Sequence, residues 1–239
     1  MNKHIVTAFD TDLSDLILKL AEMAGWVERS VESAVDALLA GDLEKAEQVI
    51  AQDDKVDTSD REIEGSAVAL IARRQPMGDD LRMIVSTMRV SQDLERIGDL
   101  AKNISKRTLI IDGTFHQRKL AHGVDSLSHL VLGQLKASIE AFVERDIAKA
   151  REIWRSDSEV DALYTSLFRE LLTYMMEDPR NISPCTHLLF CAKNLERIGD
   201  HATNIAERAI YTRTGEMIAD ERPKTDELGV HRSATDQQH

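Results

Sequence analysis

Apolar residues recur at Leu13, Leu16, Leu20, Ala24, Val27, Val31, Ala34 and Leu38, in steps of three and four. That spacing lines one face of a long amphipathic helix. Gly41-Asp42 follows, a residue suited to ending a helix and then one suited to capping the next. Val49, Val56, Ile63 and Leu70 then fall at a strict interval of seven, as in a helix packed lengthwise in a bundle. The stretch "RRQPMGDD" breaks this pattern at Pro76 and Gly78, and a third stripe runs through Val90, Leu94, Ile97, Ala101 and Ile104. "IIDGTF", Ile110 to Phe115, reads as a linker.

The pattern then starts again. "GDLEKAEQVIAQDDKVD", ending at Asp57, aligns with "RDIAKAREIWRSDSEVD", ending at Asp161, and "LERIGDLAKNI" from Leu94 returns as "LERIGDHATNI" from Leu195. In "NISPC", Ser183 reads as a helix cap and Pro184 as the first helical residue. The predicted fold is all-α: two tandem, sequence-related three-helix bundles, six long helices in all, with pseudo-two-fold symmetry. The expected boundaries are an N-terminal extension at 1–11, a first bundle at 12–110 and a linker at 111–117. The second bundle follows at 118–211, and a polar, disordered tail at 212–239.

Composition narrows the class. Apolar residues are 42% and aromatics only 4% of the 239, which favours helices over sheets. A formal charge of −12 argues against nucleic acid as a partner, because phosphate backbones need a basic surface. The two cysteines, Cys185 and Cys191, have no CxxC spacing, so no disulfide framework or zinc knuckle is expected. The N-terminal "MNKHIVTAFDTDL" lacks an apolar signal core, and the expected location is the cytoplasm.

The acids carry the candidate chemistry. Glu95, Asp99 and Asn103 stand at i, i+4, i+8, as do Glu196, Asp200 and Asn204, in line with Glu207; Lys106 takes Glu207's place in the first unit. Both rows are expected on the side of the third helix opposite its apolar stripe. Asp53 and Asp57 on the second helix are matched by Asp157 and Asp161. Asp60 and Glu64 extend the first row, where Tyr164 and Phe168 stand in the second unit. Like charges four residues apart destabilise a helix unless cations lie between them, and hard oxygen donors suit Mg²⁺, Mn²⁺, Ca²⁺ or iron. Such ions are expected at the surface or in a shallow groove. Acidic pairs are also common on solvated helix faces, so a purely structural adaptor is one alternative. Catalysis has thin support: Glu-x-x-His, HExxH and nucleotide-loop motifs are absent, His201 and His187 have no evident role, and Cys191 sits in an apolar run.

With D-x-x-V-D and LERIGDxAxNI in both halves, residues 9–211 resemble the PhoU family of bacterial phosphate-signalling proteins. The resemblance implies a metal-binding, non-enzymatic negative regulator of the phosphate-starvation response and of phosphate uptake. Such a protein acts with the phosphate ABC transporter ATPase and a sensor histidine kinase, as a homodimer, peripheral to the membrane through these partners. It implies metal ligands at Asp53, Asp57, Glu95 and Asp99 and at Asp157, Asp161, Glu196 and Asp200, with Asn103 and Asn204 added on geometry. The metal is divalent or iron-type: Mg, Mn, Fe, Zn, Ca or Ni. A carboxylate-metal hydrolase is the enzymatic alternative.

Overall fold

A computed structural model of the chain describes residues 2–111, 118–216 and 218. Six α-helices succeed one another: α1 (Asn2–Ala40), α2 (Leu43–Arg74), α3 (Asp79–Thr108), α4 (Arg118–Glu144), α5 (Ile147–Glu177) and α6 (Ile182–Thr214). A 3-10 turn at Pro179–Asn181 joins the last two, and no strand occurs among the described residues. The all-α reading with two three-helix units holds. None of the described helices is long and apolar enough to cross a membrane.

Three boundaries differ from expectation. The stretch read as an N-terminal extension is helical from Asn2, and α6 continues to Thr214 before Gly215 closes it at φ +73. Ser183 is not a cap: Asp178 accepts from the Arg180 N–H at 2.9 Å, the 3-10 turn follows, and α6 starts at Ile182. Pro184 therefore lies inside the first turn, where its missing N–H is no loss because those donors have no helical partner. Most of the expected linker and tail lies outside the described residues.

The duplication extends to the turns. Gly41 stands at φ +67, and the Asp42 carboxylate accepts from the Lys45 N–H at 2.9 Å. In the second unit Arg145 stands at φ +57, and Asp146 accepts from the Lys149 N–H at 3.1 Å. Each lysine also reaches back to the preceding helix, Lys45 to Asp36 at 2.6 Å and Lys149 to Glu140.

Helices α1, α3, α4 and α6 pack on one another as a central group. Helix α2 lies on α1 and α3 at one flank, and α5 on α4 and α6 at the other. The two units meet along α3 and α6, which run antiparallel: Asp93 meets His201 while Arg107 lies over Phe190 and beside His187. The seven-residue stripe of α2 is buried as read, with Val56, Ile63 and Leu70 at most 2% exposed. Burying each such side chain contributes about 1.5–3 kcal/mol.

The two turns make opposite predictions. Arg145→Gly should stabilise the chain by roughly 0.5–1 kcal/mol by relieving a left-handed arginine, and Gly41→Arg should destabilise it by a similar amount. Denaturant unfolding of the two variants measures both signs.

Candidate functional site

Asp53 and Asp157 occupy positions in the apolar seams of α2 and α5 and are only 5% and 3% exposed. A carboxylate buried among Val49, Val56 and their like must meet a cation or hydrogen-bond donors. The two units solve this differently. Lys102 of α3 donates to Asp53 and lies 3.9 Å from Asp99. In the second unit the Thr203 hydroxyl donates to Asp157 Oδ1 at 2.8 Å. Lys102 and Thr203 hold the same place in the repeated "LERIGDLAKNI" and "LERIGDHATNI". The hydrogen bond to Asp53 holds the Lys102 ammonium above its ordinary pKa, against the opposing effect of burial.

The acids gather as the spacing implied. Burial raises the Asp57 pKa first, and the charges of Asp53 and Asp99 raise it further. Glu95 is likewise raised by burial; Arg96 opposes this, while Asp99, Asp57 and Asp60 add to it. Glu196, 8% exposed, is raised by burial, opposed by Lys193, and raised again by Asp200 and Asp161. Each row on the third helix of a unit therefore feels the row on the second.

Two glycines permit this approach. A Cβ on Gly98 would stand 3.2 Å from Val56 Cγ1 and 3.7 Å from Asp53 Oδ1, and one on Gly199 would stand 3.2 Å from Val160 Cγ1. Glycine inside a helix costs about 1 kcal/mol relative to alanine; here it brings the acidic rows of neighbouring helices together.

The rows are less exposed than expected. Helix α3 packs against α1, α2 and α6 at once, so the side away from its apolar stripe is covered as well. Glu196 is buried and Glu95 half-buried, in seams between helices and not on a solvent face. Asn103 is exposed, and the Asn204 amide donates to Asp93 at 3.3 Å across the boundary between the units. Glu64 is exposed. His187 does have a neighbour, Arg107 at 3.4 Å. Burial pushes the Cys191 thiol up to about 12, so it is protonated and unreactive at neutral pH.

Residues the motif did not single out complete the surroundings. Lys193 donates to Glu196 Oε1 at 2.9 Å and lies 5.2 Å from the Tyr164 ring, which stands where the first unit has Asp60. From α4, Gln134 donates to the Ser156 carbonyl at 3.1 Å and to its hydroxyl at 3.2 Å. Lys102 was visible in the aligned repeat as the residue facing Thr203. Gln134 carried no signal, because nothing in its helix marks which polar residue turns inward.

The donors suit a hard cation in kind, and Glu196 Oε2 and Asp60 Oδ1 are buried oxygens with no hydrogen-bond partner. Among the described residues, however, no three His, Cys, Asp or Glu side chains are arranged to hold an ion between them. In the first unit an ammonium lies between Asp53 and Asp99. Beside that unit, Asp60, Arg89, Gln92, Asp93, Glu95, Arg96, His201, Asn204 and Arg208 line a cavity of about 620 Å³ spanning both units.

The raised acids set a pH dependence. An acid whose folded pKa exceeds its unfolded value destabilises the fold once ionised. Its contribution is full below the ordinary values of 3.8 to 4.5 and is lost as pH rises through the folded values. In metal-free buffer at pH 7, the double variant Glu95→Gln/Glu196→Gln should therefore melt above the wild type. Thermal melts from pH 7 to pH 5 should show that gap shrinking.

Comparison with known proteins agrees with this architecture. The PhoU domain matches residues 20–108 and 124–209, one copy per unit. The chain is 52% identical over 233 residues, 98% of each sequence, to the phosphate-specific transport system accessory protein PhoU homolog of Rhizobium meliloti. It is 46% identical over 228 residues to that of Caulobacter vibrioides, covering 95% of this chain and 99% of the relative. The crystal structure of PhoU from Pseudomonas aeruginosa superposes with a TM-score of 0.83 at 38% identity, over 87% of this chain and all of that one. The phosphate transport system regulatory protein PhoU from Streptococcus pneumoniae gives 0.82 at 30% identity, over 88% and 99%. With a domain match in each half and relatives aligned along almost their whole length, the chain belongs to the PhoU family.

Proposed function

We propose that the chain is a non-enzymatic, metal-binding regulator that restrains phosphate uptake and the phosphate-starvation response. Its nearest support is the naming of full-length relatives as accessory proteins of phosphate-specific transport. The physical observation that carries the metal reading is the electrostatic crowding of carboxylates at each flanking seam, where burial and like charge both act against ionisation. A divalent cation would relieve that crowding. Asp53, Asp57, Glu95 and Asp99 would hold it in the first unit, and Asp157, Asp161, Glu196 and Asp200 in the second. Its remaining coordination positions would be open to a carboxylate or phosphate oxygen on a partner. The partners in this reading are the ATPase of the phosphate transporter and the sensor kinase, met at the cytoplasmic side of the membrane by a homodimer.

One observation favours a second reading. The cavity between the units places Arg89, Arg96, Arg208 and His201 beside Glu95 and Asp60, a cationic clamp and an imidazole next to candidate metal ligands. A carboxylate-metal phosphoesterase would need such groups. Turnover of p-nitrophenyl phosphate by Mn²⁺-loaded protein, abolished by His201→Ala, would carry that reading.

The regulatory reading has its own test. A strain lacking this chain should express its phosphate-starvation genes even in abundant phosphate, and the wild-type chain should restore repression. The variant with Glu95, Asp99, Glu196 and Asp200 changed to Ala should lose tight metal retention and repression while keeping its helical circular dichroism. Repression by that metal-free variant at wild-type level would sink the metal part of the reading.

A further inference from the structure

The joint between the units has two ends that the repeat makes equivalent, and they are not built alike. Toward the C-terminal end of α3, Arg107 lies over the Phe190 ring of α6 at 4.4 Å and beside His187 at 3.4 Å. A guanidinium on an aromatic face closes that end with an attractive contact. Aligning the two LERIGD helices carries Arg107 onto Arg208 and Phe190 onto Arg89. At the other end, therefore, the arginine of α6 shares its surroundings with a second arginine, and the cavity of about 620 Å³ opens there.

Like charges beside one cavity repel each other, and Arg96 adds a third guanidinium. The carboxylates of the wall do not offset them evenly. Asp93 pairs with His201 at 2.8 Å and accepts from Asn204 at 3.3 Å. Glu95 lies 3.5 Å from Arg96. Arg89 is exposed and makes no ion pair or hydrogen bond among the described residues. Asp60 differs from the other acids: no described residue donates to its carboxylate, and its Oδ1 is buried. The second unit has Tyr164 in that place. Asp60 and Glu95 also act on each other as like charges. A carboxylate so placed calls for a hydrogen-bond donor. The wall thus combines arginine forks, which match the oxygens of a phosphate-type anion, with an acceptor that matches a proton.

We infer that this cavity binds a tetrahedral oxyanion that carries a proton, hydrogenphosphate being the type, across the joint. Arg89 and Arg208 hold its oxygens from α3 and α6, and the Asp60 carboxylate accepts the hydrogen bond of its hydroxyl. Sulfate has the same shape, but at neutral pH it has no proton and would set a bare oxygen against Asp60. The parts come from α2 and α3 of one unit and α6 of the other, so an occupant ties the units together. Neither metal nor turnover enters, which separates this from the phosphoesterase reading of the same cavity, and the inference does not rest on the regulatory reading.

Calorimetric titration of the full chain at pH 7, freed of metal by a chelator, tests this. Inorganic phosphate should bind once per chain and raise the melting temperature as its concentration rises. Sulfate should bind at least about tenfold more weakly. Asp60→Asn, whose amide can donate to a bare oxygen, should bring sulfate level with phosphate. Arg89→Phe, which copies the closed end, should abolish phosphate binding while circular dichroism stays helical. Should that variant not fold, Arg89→Gln at the same exposed position should weaken phosphate at least about tenfold. Tighter binding of glycerol 3-phosphate than of inorganic phosphate would support the same chemistry with an ester as its source. No uptake of phosphate, or uptake only with Mn²⁺ present, would overturn the inference, the second result in favour of the phosphoesterase reading. Sulfate held by the wild type as tightly as phosphate would remove the role of Asp60 and with it the assigned ligand. Phosphate bound undiminished by Arg89→Phe, or by Arg89→Gln in its stead, would place the anion elsewhere on the chain. Repression in cells is not read here, so each of these failures leaves the regulatory reading standing.

Discussion

A carboxylate placed in the apolar seam between two helices must be neutralised, and much of this protein's design follows from that at Asp53 and Asp157. Removing a charge from water is unfavourable by several kcal/mol even after relaxation. The seam must therefore carry a counter-charge or donors, and it must be tight enough to keep them in register. Gly98 and Gly199 supply the tightness, since a side chain at either would press on Val56 or Val160. Lys102 and Thr203 supply the partners.

That local constraint is repeated because the whole unit is repeated. The duplication carries over the turn, the cap and even the lysine that reaches back to the preceding helix. It also places the two seams on opposite flanks of the central α1, α3, α4 and α6, so each acidic site belongs to its own unit. The units are linked by the antiparallel pairing of α3 and α6, with α1 on α4 beside it. There Asp93 accepts from Asn204 and pairs with His201 at 2.8 Å. The same helices thus form the wall of both acidic seams and the joint between them, so a change in one seam presses on the helix that contacts the other unit.

Divergence after duplication then sets the two units apart. Tyr164 stands for Asp60, Thr203 for Lys102, Gln134 for Ser30 and Glu207 for Lys106. Three of these four replacements alter the charge of a site, while the apolar stripes are kept. Packing tolerates little variation, because each stripe residue touches several others. Polar groups at the edge of a seam are freer to change, and with them the charge that each seam carries.

By itself the sequence determined the helices, their order and the repeat. Hydrophobic periods of seven and of three to four, and the LERIGD pair, depend on neighbours along the chain and are legible there. The pairing of acidic rows across neighbouring helices was legible as well, because residues four apart share a helix face whatever surrounds them. The depth of those rows was not. Glu95 and Glu196 look outward when α3 or α6 is drawn alone, and they lie in seams because each helix is covered on more than one side. Nor could the chain say that Gln134, on a helix with no acidic motif, turns its carbonyl toward Gly199, or that Asn204 reaches Asp93 in the other unit. Those relations join residues far apart in sequence, and only the packing of one helix against several others sets them.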